Sequence, residues 1–320
     1  MHANALIDRA AELQQRVFAF AQPAERVIAS FFEAQRALGP RERRVVADTL
    51  YELLRRRLRY EWLAAQQPLE GVALARRLVL LAWQGDVGRL HAALPAPQAA
   101  WLERCAGVAC IDAPPPTRHN LPPWIASRLQ QQLGPEFDAA AQALAAQAPL
   151  DLRVNLLKAR RDEVRQQLAA LGIESTPTPF SPWGLRVVGK PSLAGLQPFR
   201  DGLVEVQDEG SQLLALLVGA VRGEMVADWC AGAGGKTLAL AAAMRNSGRL
   251  YAFDTGGARL DKLGARAARA GVGIVHTMQL GESADGGGGR DERIERLAGK
   301  LDRVLVDAPC SGLGTLRRQP

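Results

Sequence analysis

A multidomain chain, all-α first and α/β later, is predicted by three features of these 320 residues. Apolar residues recur at helical spacing through residues 1–145. Two strand-like runs flank one helical run within residues 146–200, which reads as a small α+β module. Buried strands then alternate with Ala/Leu-rich helices across residues 201–320, the pattern of a parallel sheet with helices on both faces.

In the first region Val46, Leu50, Leu53, Leu54 and Leu58 fall on one helical face. Pro23 suits a first helical turn, and Gly39-Pro40 separates two helices. Arg41, Arg43, Arg44, Arg55, Arg56, Arg57 and Arg59 flank the apolar stripe. They read as the charged outer face of a bundle or as a phosphate-contact surface. Pro114-Pro115-Pro116 and Leu121-Pro122-Pro123-Trp124 mark an extended boundary, because proline does not continue a helix.

In the second region Leu152 to Asn155 and Gly184 to Val188 read as strands, with a helix over Arg161–Leu171 ended by Gly172. In the third, strands are expected at Met225–Trp229, Arg249–Asp254, Ile274–Met278 and Arg303–Val306, with helices at Lys236–Met244 and Ala258–Ala270. The tetraglycine run Gly286 to Gly289 marks a surface loop.

The composition excludes several classes. Apolar residues make up 48% and charged residues 23%, which excludes disorder throughout. No apolar run is long enough for a membrane span, and the N-terminus lacks a signal-peptide pattern. The formal charge is +7 and rests on arginine, with lysine only at 158, 190, 236, 262 and 300. That surplus is either a solvated basic surface, favoured by codon bias, or a site for a polyanion. Cys105, Cys110, Cys230 and Cys310 match no zinc spacing and no disulfide scaffold, so the reducing cytoplasm is the expected compartment.

The sharpest local signal runs from Val226 through Cys230, Ala231, Gly232, Ala233, Gly234, Gly235 and Lys236 to Thr237. A Gly-rich turn between a buried strand and a helix brings backbone N–H groups to a ligand. A phosphate-binding loop needs glycine where Cys230 stands. A dinucleotide fingerprint needs glycine where Thr237 stands. A third reading is S-adenosylmethionine, with Asp254 at the end of the second strand for the ribose hydroxyls. After the fourth strand comes Asp307-Ala308-Pro309-Cys310, where amino methyltransferases carry an Asp/Asn-Pro-Pro-aromatic motif.

These two motifs, with Val204-Glu-Val-Gln-Asp-Glu-Gly-Ser-Gln212 before them, resemble the Sun/Fmu-type RNA cytosine-C5 methyltransferases, in particular their bacterial small-subunit ribosomal RNA methyltransferase B group. The resemblance covers the whole chain. It implies a NusB-like helical RNA-binding domain over 1–145, a small RNA-binding subdomain over 146–200 and a Rossmann-like methyltransferase domain over 201–320. It implies that Cys230, Ala231, Gly232, Ala233, Gly234, Gly235 and Lys236 line S-adenosylmethionine and that Asp254 binds its ribose. It also implies that Asp307 lies between cofactor and base and that Cys310 is the cysteine that helps release the product. The acid that contacts adenine is Glu282 or Asp285, and no metal is implied.

The chemistry needs cysteine because cytosine C5 is a poor nucleophile until a thiolate adds at C6. The target base must also be unstacked. The family's nucleophile sits in a Thr-Cys-Ser motif beyond Pro320, so the chain as given is expected to be inactive, with an incomplete sheet whose fourth strand is a bare edge and whose C-terminal third is poorly soluble. The rival readings are a non-catalytic RNA-binding protein with a residual cofactor domain, and a different nucleotide-dependent enzyme.

Overall fold

The computed structural model describes residues 2–189, 191–193, 195–281 and 291–318, together with all side chains there except that of Cys110. Glu282 and Asp285 lie outside the described residues. The chain divides into two compact units, Met1–Ala148 with Gly312–Pro320, and Pro149–Ser311.

The first unit is helical: α1 (Ala3–Val17), α2 (Ala24–Ala34), α3 (Pro40–Arg55), α4 (Arg57–Gln66), α5 (Leu74–Leu81), α6 (Val87–Ala93), α7 (Ala96–Ala106), α8 (Pro115–Arg118), α9 (Pro123–Leu133) and α10 (Phe137–Ala145). Helix α1 buries Ile7, Leu13 and Val17 against α2, α3 and α5. Trp101 is fully buried, and its indole N–H donates to Gln67 O at 2.6 Å, which meets the need of its one polar atom.

Three expectations change here. Val46, Leu50, Leu53 and Leu54 are buried on α3, but Leu58 sits on the next helix. The Leu58 N–H is drawn out of the helical ladder by Asn120 Oδ1 at 2.6 Å, and the chain turns at Arg56. The proline runs are helix starts, not an extended boundary. Pro115 and Pro123 occupy first-turn positions, where the missing N–H costs nothing. Among the arginines, Arg55 is buried and its guanidinium reaches the carbonyls of Ala145 and Leu316, while Arg57 lies over the Phe18 and Phe20 rings. The segment around Leu316 thus packs with the helical unit, and Ala148 N–H donates to Arg317 O at 3.0 Å.

The second unit holds two sheets. The antiparallel sheet has the order β2-β3-β1-β4, from β1 (Leu150–Val154), β2 (Ser175–Pro177), β3 (Gly184–Val187) and β4 (Val204–Val206). Helix α11 (Arg161–Ala170) sets Val164 and Leu168 against Leu152, Val154, Leu185, Val187 and Val204. Alternation along β1 sends Asp151, Arg153 and Asn155 to the other face, where all three are buried. A short helix, α12 (Gln197–Arg200), leads into β4. Strand β4 is too short for a periodicity to mark it in the sequence. It pairs with β1 and so belongs to the antiparallel sheet, although it lies past residue 200.

Helix α13 (Glu209–Leu217) then enters a parallel sheet. Its elements are β5 (Met225–Asp228), α14 (Gly235–Ala243), β6 (Arg249–Asp254), α15 (Gly257–Ala270), β7 (Val275–Gln279), α16 (Glu292–Glu295) and β8 (Arg303–Leu305). The order is β7-β6-β5-β8, all parallel: third, second, first, fourth. Among the described residues β8 is an edge strand, and Val304 and Val306 are exposed. Helices α13 and α14 bury Ala215, Leu240 and Met244 on Val226 and Leu250. The face carrying Ala227, Tyr251 and Phe253 receives Ile294, Leu297 and Leu301, and keeps an apolar cleft of about 470 Å³ beside Trp229.

Candidate active site

Parallel strands point their carboxyl ends to one side, and three of those ends carry an acid: Asp228 ends β5, Asp254 ends β6 and Asp307 follows β8. The Gly-rich turn starts after Asp228. Ala231 N–H donates to Phe253 O and Gly234 N–H to Ala231 O, each at 2.9 Å. Gly232 and Gly234 have φ of +55° and +83°, a region that costs other residues energy. A Cβ on Gly234 would come within 2.1 Å of Leu263 Cδ1, whereas one on Gly232 would project into open space. The turn is therefore pressed onto α15 on one side and open on the other.

Asp254 is 5% exposed and ties the turn to β6. Its carboxylate accepts from Gly232 N–H at 2.8 Å and Gly256 N–H at 2.7 Å, and it pairs with Arg259 at 2.5 Å. Burial works to raise its pKa, but those N–H groups and Arg259 hold it below the usual carboxylate range. Lys236 on the first turn of α14 reaches Asp307 Oδ2 at 2.6 Å and so joins the two sequence motifs. Asp307 itself is half exposed.

Asp228, inside the Val226–Thr237 motif, joins the site although no spacing rule marks it. It is 1% exposed, and Oδ2 accepts from the Thr237 hydroxyl at 2.7 Å. Oδ1 is buried without a partner. Burial pushes its pKa up to about 6, and Asp307 and Asp254 add to the rise. Cys230 is half-buried, and its thiol is pushed up by burial and by Asp254, Asp228 and Asp307. Cys310 is exposed after β8, and Cys105 is buried in the helical unit with its thiol raised by burial.

The Val204–Gln212 segment is the seam between the two sheets. Asp208 caps α13 through Gly210 N–H at 2.9 Å. Glu209 accepts from Phe180 N–H at 2.6 Å and Ser181 N–H at 2.9 Å, and Gln212 takes the Ser181 hydroxyl at 2.7 Å. Sequence pattern gave no role to these residues, because their partners are 28 to 31 positions away.

A glycine turn opening a helix, an acid closing the next strand and a third-second-first-fourth parallel order define a Rossmann-like domain of the methyltransferase type. More narrowly, two stretches of the chain match the RsmB/F family of 16S rRNA methyltransferases. A family profile described as 16S rRNA methyltransferase RsmB/F matches residues 215–320, and one for the ferredoxin-like domain of RsmF/B-like methyltransferases matches residues 121–193. A probable ribosomal RNA small subunit methyltransferase B from Synechocystis sp. is 36% identical over 205 residues, covering 63% of this chain and 44% of that protein. A ribosomal RNA small subunit methyltransferase B from Citrobacter koseri is 26% identical over 315 residues, 89% of this chain and 71% of that protein. The crystal structure of a methyltransferase homolog protein from Pyrococcus horikoshii matches with a TM-score of 0.55 and 30% identity, over 63% of this chain and 64% of that one. The crystal structure of PH0851 has the same fold, with a TM-score of 0.70 and 22% identity over 98% of this chain and 76% of that one. The chain spans under half the length of the Synechocystis relative and of that from Bacillus subtilis.

Proposed function

We propose that this chain binds S-adenosylmethionine at the Gly-rich turn and serves the C5 methylation of a cytosine in small-subunit ribosomal RNA. The observation that carries the reading is the turn's charge pattern. A buried carboxyl oxygen without a partner, Asp228 Oδ1, stands beside an open glycine cradle with Asp254 and Asp307 nearby in charge. A cationic methionine group meets the unpaired acceptor that an anionic phosphate would repel. When bound, the cofactor supplies an electrophilic methyl on a sulfonium.

The chain's own residues then divide the work. Cys230 to Lys236 form the cradle, and Asp254, held by two backbone N–H groups, keeps acceptor capacity for ribose hydroxyls. Asp307, fixed by Lys236, is an acceptor for the amino edge of a cytosine. Cys310, exposed beyond it, takes the product-release role that the family resemblance gives it. Cys230 is a poor candidate for attack at C6, since its surroundings disfavour the thiolate. The basic helical unit and the small antiparallel module supply contacts to RNA phosphates in the cytoplasm. Among the described residues no helix is long and apolar enough to cross a membrane.

Calorimetry with S-adenosylmethionine, ATP and NAD tests the cofactor. Heat with the first alone supports the reading, and heat with ATP or NAD instead ends it. Tritium transfer from labelled S-adenosylmethionine to undermodified small-subunit rRNA tests the chemistry. With the Cys230 thiolate disfavoured and Cys310 assigned to product release, binding without transfer is expected from these 320 residues. Transfer abolished by Cys310→Ala would make Cys310 the attacking thiolate.

A further inference from the structure

Glu205 on β4 is a carboxylate only 3% exposed, placed opposite Arg153 in the β1–β4 register. Two arginines of α15 converge on it. Arg266 donates to Oε2 through Nε at 3.2 Å and Nη2 at 2.8 Å, and Arg269 pairs with Oε1. The two then part. Arg269 lies over the Phe199 ring, 4.4 Å from its centroid. Arg266 turns its remaining Nη1 to the carbonyl of Ala233 at 2.5 Å, inside the Gly-rich turn.

That carbonyl occupies a sensitive place. Gly232 and Gly234, on either side, are both left-handed, and the Ala233–Gly234 peptide plane is held by Gly234 N–H on Ala231 O at 2.9 Å at one end and by Arg266 at the other. The plane leads directly into α14, whose first N–H groups have no intrahelical partner. A guanidinium is a rigid planar fork that fixes a carboxylate and a carbonyl in set directions, whereas an ammonium on a flexible stem holds its acceptors without that fixed geometry. With Glu205 fixed in the antiparallel sheet, the fork carries that sheet's position to the turn.

We propose that Arg266 is a positioning residue for the cofactor turn: clamped by Glu205, it holds the Ala233 carbonyl and couples the small antiparallel module to the cradle. The cofactor arm of the test rests on the function proposed above; the exchange arm does not. Amide hydrogen exchange and calorimetry with S-adenosylmethionine on the whole chain compare Arg266→Ala with Arg269→Ala, which shares Glu205 but does not touch the turn. Losing a charge-assisted bond to the turn is expected to speed exchange of amides 231–236 about tenfold and to weaken the cofactor about tenfold in Arg266→Ala. Arg269→Ala is expected to leave both within about twofold. Arg266→Lys should fall between, because one ammonium keeps only part of the contact set. If Arg266→Ala does not fold, Glu205→Gln loosens the clamp at constant shape, and the same rise in exchange at the turn is expected. Unchanged turn exchange, or equal rises in both alanine variants, overturns the proposal. A wild-type chain that ignores S-adenosylmethionine overturns the cofactor reading instead, while the exchange contrast still decides the role of Arg266.

Discussion

At the end of β5 the chain is tied at nearly every step: Gly232 N–H to Asp254, Ala233 O to Arg266, Gly234 N–H to Ala231 O and Thr237 Oγ1 to Asp228. At the end of β8 residues 306–311 are exposed, and Asp307 is tied by Lys236. The two strand ends therefore divide fold from chemistry in different proportions. In the first, the groups we propose to bind the cofactor are also structural, and their positions are set before any ligand arrives. In the second, the residues given to the base and the product contribute little to the fold. Substitutions should separate the two ends by size, and in one instance by sign.

The largest effect is expected from Gly234→Ala, which combines a φ of +83° with a Cβ 2.1 Å from Leu263 Cδ1. Strain and overpacking together should cost about 3 kcal/mol, with cofactor binding lost by calorimetry. Adding Leu263→Ala clears the space but not the backbone strain, so recovery of stability without recovery of binding is expected. Full recovery of both would show that the turn's conformation does not matter. Asp254→Ala comes next. It strands two partly buried N–H groups and Arg259, and chemical denaturation should show a loss of about 2 kcal/mol. The Asp254 pKa is depressed in the fold, so its stabilisation is present above the unfolded value and fades as pH falls through the folded one. The gap between wild type and Asp254→Ala should accordingly narrow in acid.

Asp228 reverses the sign. Its pKa is raised to about 6 from an unfolded value of 3.8, so ionisation at neutral pH opposes folding. Asp228→Asn keeps an acceptor for Thr237 and removes that charge. It should gain about 2 kcal/mol at pH 7.5, and the gain should disappear as pH falls from 6 through 3.8, where wild type is neutral as well. Affinity for a cationic ligand should fall at the same time. A variant that is more stable yet binds as well as wild type would remove Asp228 from the cradle.

The same contrast explains what could be read without coordinates. The strand-turn-helix around Gly232 to Lys236 and the strand ending in Asp254 are local patterns, and both stand where residue periodicity places them. The pairing of Lys236 with Asp307 was implicit in strand order, since β5 and β8 are neighbours. What escaped is set by distance in sequence. Strand β4 is three residues long and pairs with β1, about fifty positions earlier, so no period of two had room to show. Glu205 and Arg266 are 61 positions apart, and no spacing rule links them. The prolines at 115 and 123 misled for another reason: proline ends a helix it follows and starts one it precedes, and composition alone does not say which.

The smallest effect on the fold is expected at the position we propose for product release. Cys310 is exposed, on a stretch that leaves the edge strand without burying a side chain. Cys310→Ala should change stability by less than about 0.5 kcal/mol in denaturant, because surface truncations away from caps and cores seldom do more. Its effect should be confined to the step that frees the product. In a methylation-competent setting, protein covalently trapped on RNA should accumulate and run as a slower band on a denaturing gel. A stability loss comparable to that of Asp254→Ala, with no trapped species, would place Cys310 among the structural residues. It would also erase the distinction between the two strand ends, since both would then hold the fold together.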